Sequence, residues 1–410
     1  MEVHGKIVDI HNREIFPAVI TAENGIITRI ERNSHRGKHF IMPGLIDAHV
    51  HLESCFLPPS EFARMTVRHG SVAAVIDTGA MAKALGISGV EYLVGNAQKT
   101  PFKFSFAAPT SLPEGEIDEL LAQSPFVSLG EVKSTEDPIH IAKKYEKRVD
   151  GHLSDIFGEN LKAFHDAGIE SDHGCNTLSA ARERHALGMK LLIDEGALNS
   201  LFPIMQESPE NCLFCRDYLQ PDQLLVGHMN LLVRKAIQKG MDPIDAIKIG
   251  SQNAVEHYKL DVGLLRVGDP ADFIMVENLE SLRVLETYID GRCVFKETNL
   301  ISRIEPRAVH RKVPVATIEE DPRVKGAIGL STAEGIIAVG KDDVQLLVQA
   351  LEKGGLGICY EGKLDLLPLP IGGLFSNLEG EEVAIRYSNL NEIAKTRGAS
   401  FTERFFHHPN

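Results

Sequence analysis

The sequence predicts an α/β protein: a (β/α)8 barrel of the TIM type, with a small β-domain built from segments flanking it and a C-terminal α+β domain. Three observations predict it. Between residues 40 and 258, short apolar runs alternate with helical patterns about eight times, the rhythm of a parallel barrel. Strand-like segments stand on both sides of that region. A strand–helix–strand pattern then follows toward the C-terminus. The chain has 410 residues, and a prior of ~150 residues per domain makes two or three units reasonable.

The order along the chain justifies each part. Residues 1–42 read as strands broken by turns such as Glu23-Asn24-Gly25. The barrel, residues 43–258, carries the runs FIMPGLIDAHVH (40–51), VAAVID (72–77), KFSFAAP (103–109), FVSLGEV (126–132), KRVDGH (147–152), AGIESDH (167–173), MKLLIDEG (189–196) and CLFCRD (212–217). Helical stretches separate them. SEFARMTVRHG opens with Ser60 as an N-cap, and ENLKAFHDAG closes on Gly168. LSAARERHALG and LLVRKAIQKG follow the same pattern. Residues 259–298 return to strands, with Asp290-Gly291 as a hairpin turn, and are expected to pair with residues 1–42 in one small β-domain. Residues 299–410 form the third unit, in which the stretch from Ala327 to Gly362 reads as strand, helix, strand and His407-His408-Pro409-Asn410 as a frayed polar tail.

Composition excludes several function classes. Asp and Glu number 57 against 43 Lys and Arg, a net charge of −14, which argues against nucleic acid or an anionic membrane surface as the main partner. No run of ~20 apolar residues offers a bilayer span, and the N-terminus alternates like a strand rather than a signal peptide. A cytoplasmic location is the expectation. The six cysteines are scattered and make no disulfide framework. Cys212 and Cys215 form a C-x-x-C, but with no second pair nearby a structural core role outweighs zinc or redox chemistry.

The chemistry centres on His49 and His51. Their i, i+2 spacing on a strand puts both rings on one side, as two ligands of one ion require. Alone, each would read as a satisfied polar residue. However, Glu131 ends the fourth run, His152 the fifth, His173 the sixth and Asp217 the eighth. Barrel sites lie at the C-terminal strand ends, so these residues converge in space. Four histidines and two carboxylates exceed the needs of one tetrahedral zinc; a bridged pair of ions, with Glu131 as a candidate bridge, accommodates them.

These residues in this order resemble the amidohydrolase superfamily. More narrowly, PGLIDAHVHLESCFLPPSEFAR, LGEV, VDGH, AGIESDHGCNT, GHMNLLVRKAI, EHYKLDVGLLRVGDPADFIMV and LPLPIGGLFS are similar to bacterial adenine deaminases over nearly the whole chain. The resemblance implies a hydrolase acting on adenine, giving hypoxanthine and ammonia, with a purine base as its small-molecule substrate. It implies one or two divalent ions, Mn2+ or Fe2+ with Zn2+ as an option, held by His49, His51, Glu131, His152, His173 and Asp217. Asp217 and Glu131 are the catalytic carboxylates it implies, Asp217 as proton shuttle, and it implies a homo-oligomer.

The chain departs from that family's pattern in its loops. Asp77-Thr78-Gly79-Ala80 stands where the family carries Asp-Pro-His-Glu. Tyr218-Leu219-Gln220 follows Asp217 in place of a second Asp and a His, and Gly174 follows His173 in place of a Glu. Leu153-Ser154-Asp155 follows His152 in place of Ala-Pro-Gly, and Val132-Lys133-Ser134-Thr135 replaces a Met-Asn-Tyr-Pro-Gly-like loop. Loop variation on a fixed barrel changes substrate. Three outcomes therefore stay open: an adenine-deaminase-like aminohydrolase, an amidohydrolase of another aminopurine or cyclic amide, and a metal-binding homologue without activity.

Overall fold

The computed structural model describes residues 1–33, 37–55, 57–219 and 223–297, and the backbone of strands lying between residues 318 and 387. Parallel strands buried on both faces must be nearly continuous in apolar residues. That is how the barrel begins: every residue of β5 (Leu45–His51) and of β6 (Ser71–Asp77), as numbered along the chain, is buried. Next come β7 (Lys103–Pro109), β8 (Phe126–Val132), β9 (Arg148–Gly151), β10 (Ser171–Asp172) and β11 (Lys190–Ile193). Each pairs in parallel with the one before.

The eighth strand closes the barrel in two pieces. β12 (Cys212–Phe214) pairs in parallel with β11, and β13 (Asp217–Tyr218) pairs in parallel with β5. Cys215 and Arg216 form the gap between them. The sheet order β12-β11-β10-β9-β8-β7-β6-β5-β13 thus begins and ends on one strand run.

The flanking strands form a single sheet in the order β16-β15-β14-β4-β1-β2-β3. Its members are β1 (Glu2–Asp9), β2 (Glu14–Glu23), β3 (Ile26–Arg32), β4 (Phe40–Pro43), β14 (Phe273–Val276), β15 (Val284–Ile289) and β16 (Arg292–Lys296). Asn24 and Gly25 turn β2 into β3 at φ 51° and 85°, and Asp290 and Gly291 turn β15 into β16 at φ 46° and 69°. Positive φ at both central residues matches strand twist in a two-residue hairpin, which explains the Asn-Gly and Asp-Gly pairs. One face of this sheet (Ile274, Val276, Val284, Ile289) joins the barrel core, while Val3, Ile7, Ile20 and Phe273 form a second core on the other face. Lys103 Nζ reaches buried Asp272 Oδ2 at 2.7 Å, tying a barrel strand to the linker that returns to this sheet.

Helix ends follow the sequence signals with one exception. The helix Gly158–Ala167 ends on Gly168 at φ 113°, and Thr177 caps Leu178–Ala186 through its side chain. Ser60 is not an N-cap. The helix spans Pro59–Thr66, starting two residues earlier than a Ser60 cap would allow because proline fits its first turn, and the Ser60 amide donates to Asn96 Oδ1 at 2.8 Å.

Toward the C-terminus, strands Ile318–Glu320, Ala327–Thr332 and Gly335–Gly340 make one antiparallel sheet. Gly357–Tyr360 pairs with Lys363–Leu366, and Ile371–Ser376 with Glu382–Tyr387. The helix expected between Gly340 and Gly357, and the polar tail, lie outside the described residues. Among the described residues no helix is long and apolar enough to cross a membrane.

Candidate metal centre

The six residues singled out in sequence stand at one mouth of the barrel. His49 and His51 share a side of β5, both almost fully buried, and their Nε2 atoms lie 3.2 Å apart. Glu131 sits in β8, His152 follows β9, His173 follows β10 and Asp217 opens β13. Glu131 Oε1 is 3.4 Å from His51 Nε2, 3.5 Å from His152 Nδ1 and 3.3 Å from His173 Nε2. His152 Nδ1 and His173 Nε2 approach to 2.8 Å. Asp217 Oδ1 lies 3.8 Å from His49 Nε2 and 3.6 Å from His51 Nε2.

Local backbone geometry aims these groups. Glu131 and Asp217 adopt φ of 49° and 48°, a left-handed conformation that costs a non-glycine residue about 1–3 kcal/mol and clusters at functional sites. Pairing registers shift between Asp47 and Val50, and between Leu129 and Val132. Such irregularities re-aim side chains beside active sites. Asp172 supports both later histidines: its Oδ1 accepts from the amides of Leu153 and Gly174, each at 2.9 Å, and its Oδ2 accepts from Arg184 Nε at 2.8 Å.

Several further residues belong to the site. Glu53 Oε1 accepts from His51 Nδ1 at 2.7 Å, leaving Nε2 to face the cluster. A ligating histidine is commonly oriented by a carboxylate in this way. Glu53 lies in the short helix Leu52–Cys55 that follows β5, so the strand alternation of His49 and His51 does not extend to it. Asp77, at the end of β6, places Oδ1 3.8 Å from His51 Nδ1. It too ends an apolar run, as the other carboxylates do. Lys133 Nζ lies 3.1 Å from Glu131 Oε2, and the Tyr218 ring stacks on His51 with centroids 4.6 Å apart; no sequence pattern marks these two.

Electrostatics separates the groups. Burial drives His49 well below the ordinary imidazole pKa, and His173 and His51 add to the effect. Burial acts on His51 too, but Glu53, Glu131 and Asp77 outweigh it and hold its pKa well above the ordinary value. Burial would raise Glu131, yet His152, His173 and His51 hold its carboxyl well below the usual range. Burial raises Asp217, against the pull of His173 and His51, and pushes Asp77 up to about 6.

This donor set fits a divalent cation. His49, Glu131 and His173 form one group whose ligand atoms lie within 4.8 Å of one another, and His49, His51 and Asp217 form a second. Donors about 2.0–2.1 Å from a shared ion are spaced much as these atoms are. Asp217 Oδ1 is buried without a hydrogen-bond partner, a costly state that a cation relieves. Imidazole and carboxylate suit several first-row metals. Cys212 and Cys215 belong to neither group. Both are fully buried, with Cys212 pushed up to about 12 by burial, as core residues are.

A closed parallel barrel carrying clustered histidines and carboxylates at its strand ends defines the protein as a metal-dependent hydrolase of the amidohydrolase class. The amidohydrolase family model matches residues 206–294, and that of the adenine deaminase C-terminal domain matches residues 284–408. The fold resembles that of N-acetylglucosamine-6-phosphate deacetylase from Thermotoga maritima (TM-score 0.55, 19% identity, 72% of this chain and 100% of that one). It also resembles that of an enamidase of the amidohydrolase superfamily (TM-score 0.56, 16% identity, 72% and 96%). These two share the fold. The nearer likeness is to adenine deaminases. The chain is 37% identical to that of Sulfurovum sp. NBC37-1, covering 96% of this chain and 91% of the relative. It is 34% identical to that of Methanosarcina mazei, covering 98% and 93%. The chain belongs to the adenine deaminase family. The Sulfurovum alignment spans 488 positions, more than the 410 residues here, so the relative carries segments that this chain lacks.

Proposed function

We propose that the protein hydrolyses adenine to hypoxanthine and ammonia, with His49, His51, Glu131, His152, His173 and Asp217 holding one or two Mn2+ or Fe2+ ions. The observation that carries this reading is the sharing of His49 between two ligand groups, with the unpartnered Oδ1 of Asp217 facing them. A bound divalent ion supplies an activated water at neutral pH and Lewis acidity.

The chain's own residues do the rest. Glu53 fixes the His51 ring, and the raised pKa of Asp217 suits a carboxylate that takes and returns a proton. Water adds its oxygen to C6 of the purine as the C6–N6 bond breaks. One water proton passes through the Asp217 carboxylate to N6, which leaves as ammonia, and the second remains on the ring as N1–H. Tyr218, stacked on His51, lies beside the ligands at the solvent side of this mouth.

The test is release of ammonia and hypoxanthine by Mn2+-loaded protein. Adenine should be turned over, and other 6-substituted purines and cyclic amides should be poorer substrates. No turnover of adenine by folded, metal-loaded protein would refute the assignment, and preference for another member of the panel would redirect it.

A further inference from the structure

Behind the ligands lies a buried polar chain that the mechanism does not use. Ser71 opens β6, Asp47 lies in β5, and His228 precedes the helix Met229–Gln238. All three are sealed from solvent, at 0% exposure. His228 Nε2 lies 2.9 Å from Asp47 Oδ2, and Ser71 Oγ lies 2.6 Å from His228 Nδ1. A carboxylate only accepts, so Nε2–H donates to Asp47. Nδ1 of the neutral ring then accepts from the Ser71 hydroxyl. The direction of every bond is fixed, and Phe62 packs edge-on against the imidazole at 5.3 Å.

The other oxygen of Asp47 faces the backbone of the site. Asp47 Oδ1 accepts from the amide of Arg216 at 2.9 Å and from that of His49 at 3.3 Å. Arg216 lies in the gap of the eighth strand, where pairing with β11 has ended and pairing with β5 has not begun. Asp217 follows directly in its left-handed conformation. One carboxylate oxygen therefore anchors the backbone of a histidine ligand on one strand and the residue before a carboxylate ligand on another.

We propose that Asp47, held by His228 and Ser71, is a positioning residue that sets His49 and Asp217 relative to one another for metal binding and proton transfer. This rests on the ligand reading above. It assigns no contact with metal or substrate to Asp47 itself. Partners that orient ligands typically change metal affinity about 10–100-fold when removed. A displacement of ~1 Å in a reacting group costs on the order of 100-fold in rate.

The test measures Mn2+ affinity, by competition with a chelator, together with kcat and KM on adenine. Asp47→Ala should weaken Mn2+ binding at least ~10-fold and lower kcat, with KM changed by less than ~3-fold. Asp47→Asn retains an oxygen for the Arg216 amide and should restore affinity to within ~3-fold of the parent. Parent affinity in Asp47→Ala, or equal damage in Asp47→Asn, would overturn the proposal. If Asp47→Ala does not fold, His228→Leu decides, since it frees Oδ2 and leaves Oδ1 in place. A several-fold loss of affinity supports the proposal and an unchanged affinity overturns it. His49→Ala separates the two readings. Metal retained in His49→Ala refutes the ligand assignment itself, whereas metal lost there but retained in Asp47→Ala refutes only the positioning role.

Discussion

The buried ion pair behind His152 and His173 offers a quantitative prediction. Asp172 and Arg184 are both fully buried, with Arg184 Nε 2.8 Å from Asp172 Oδ2. Arg184 also donates to the carbonyl of Leu153. Replacing Arg184 by Met keeps an unbranched apolar stem, removes the guanidinium and leaves Asp172 charged in the core. Removing one partner of a buried pair costs about 3–5 kcal/mol. Asp172 retains the amides of Leu153 and Gly174 at 2.9 Å, so the loss should sit near the lower end, about 3 kcal/mol. At about 2–4 °C per kcal/mol for a domain of this size, the Tm should fall by about 6–12 °C. The double variant Arg184→Met/Asp172→Asn buries no charge, so its loss should be smaller than the sum of the two single losses by about 2 kcal/mol. The chain has no tryptophan, so urea unfolding is best followed by far-UV circular dichroism. Metal-stripped protein keeps ion binding out of the measured stability. A single-variant loss below about 1 kcal/mol, or strict additivity in the double variant, would refute this account of the pair.

Other predictions follow from the same geometry. His49 belongs to both ligand groups and His152 to neither, so His49→Ala should lose more Mn2+ than His152→Ala by metal analysis; the reverse order would contradict the shared-ligand reading. Asp217→Asn should lower kcat on adenine at least ~100-fold, the scale of a lost proton shuttle, and near-parent kcat would remove that role. The raised pKa values of His51 and His173 mean that protons compete with the ion from above the ordinary imidazole range. Mn2+ affinity should therefore keep rising with pH above the ordinary imidazole range and fall as pH drops through it, and a flat profile would argue against histidine ligation. Cys212 and Cys215, buried and with raised pKa values, should resist thiol reagents until the protein unfolds, and rapid labelling of either in folded protein would contradict their core role.

Much of this architecture is legible in the amino-acid sequence because periodicity and burial are coupled. A seven-residue run such as SVAAVID can only be a strand covered on both faces, and HVH at its neighbour's end reads as two rings on one side. The turns at Asn24-Gly25 and Asp290-Gly291 announce themselves through positive φ. What sequence reasoning misses has physical causes. The run CLFCRD hides a break, because closing the barrel transfers pairing from β11 to β5 within a few residues. Ser60 looks like a cap, but Pro59 starts the helix earlier. Glu53 and Asp77 become part of the site through contacts with His51 that the helical turn after β5 and the β5–β6 register decide. Lys133 lies in a loop just past β8, and Tyr218 ends the two-residue strand β13, so neither stands in a run long enough for periodicity to fix its side-chain direction.

A titration of metal-stripped protein with Mn2+, reading hypoxanthine formed from adenine at each addition in parent and His49→Ala, decides whether this metal centre is catalytic. Without metal there should be no turnover; activity should rise and saturate with added ion in the parent, with little or none in His49→Ala. Activity that is independent of Mn2+, or fully restored in His49→Ala, would contradict a catalytic metal centre built on that histidine.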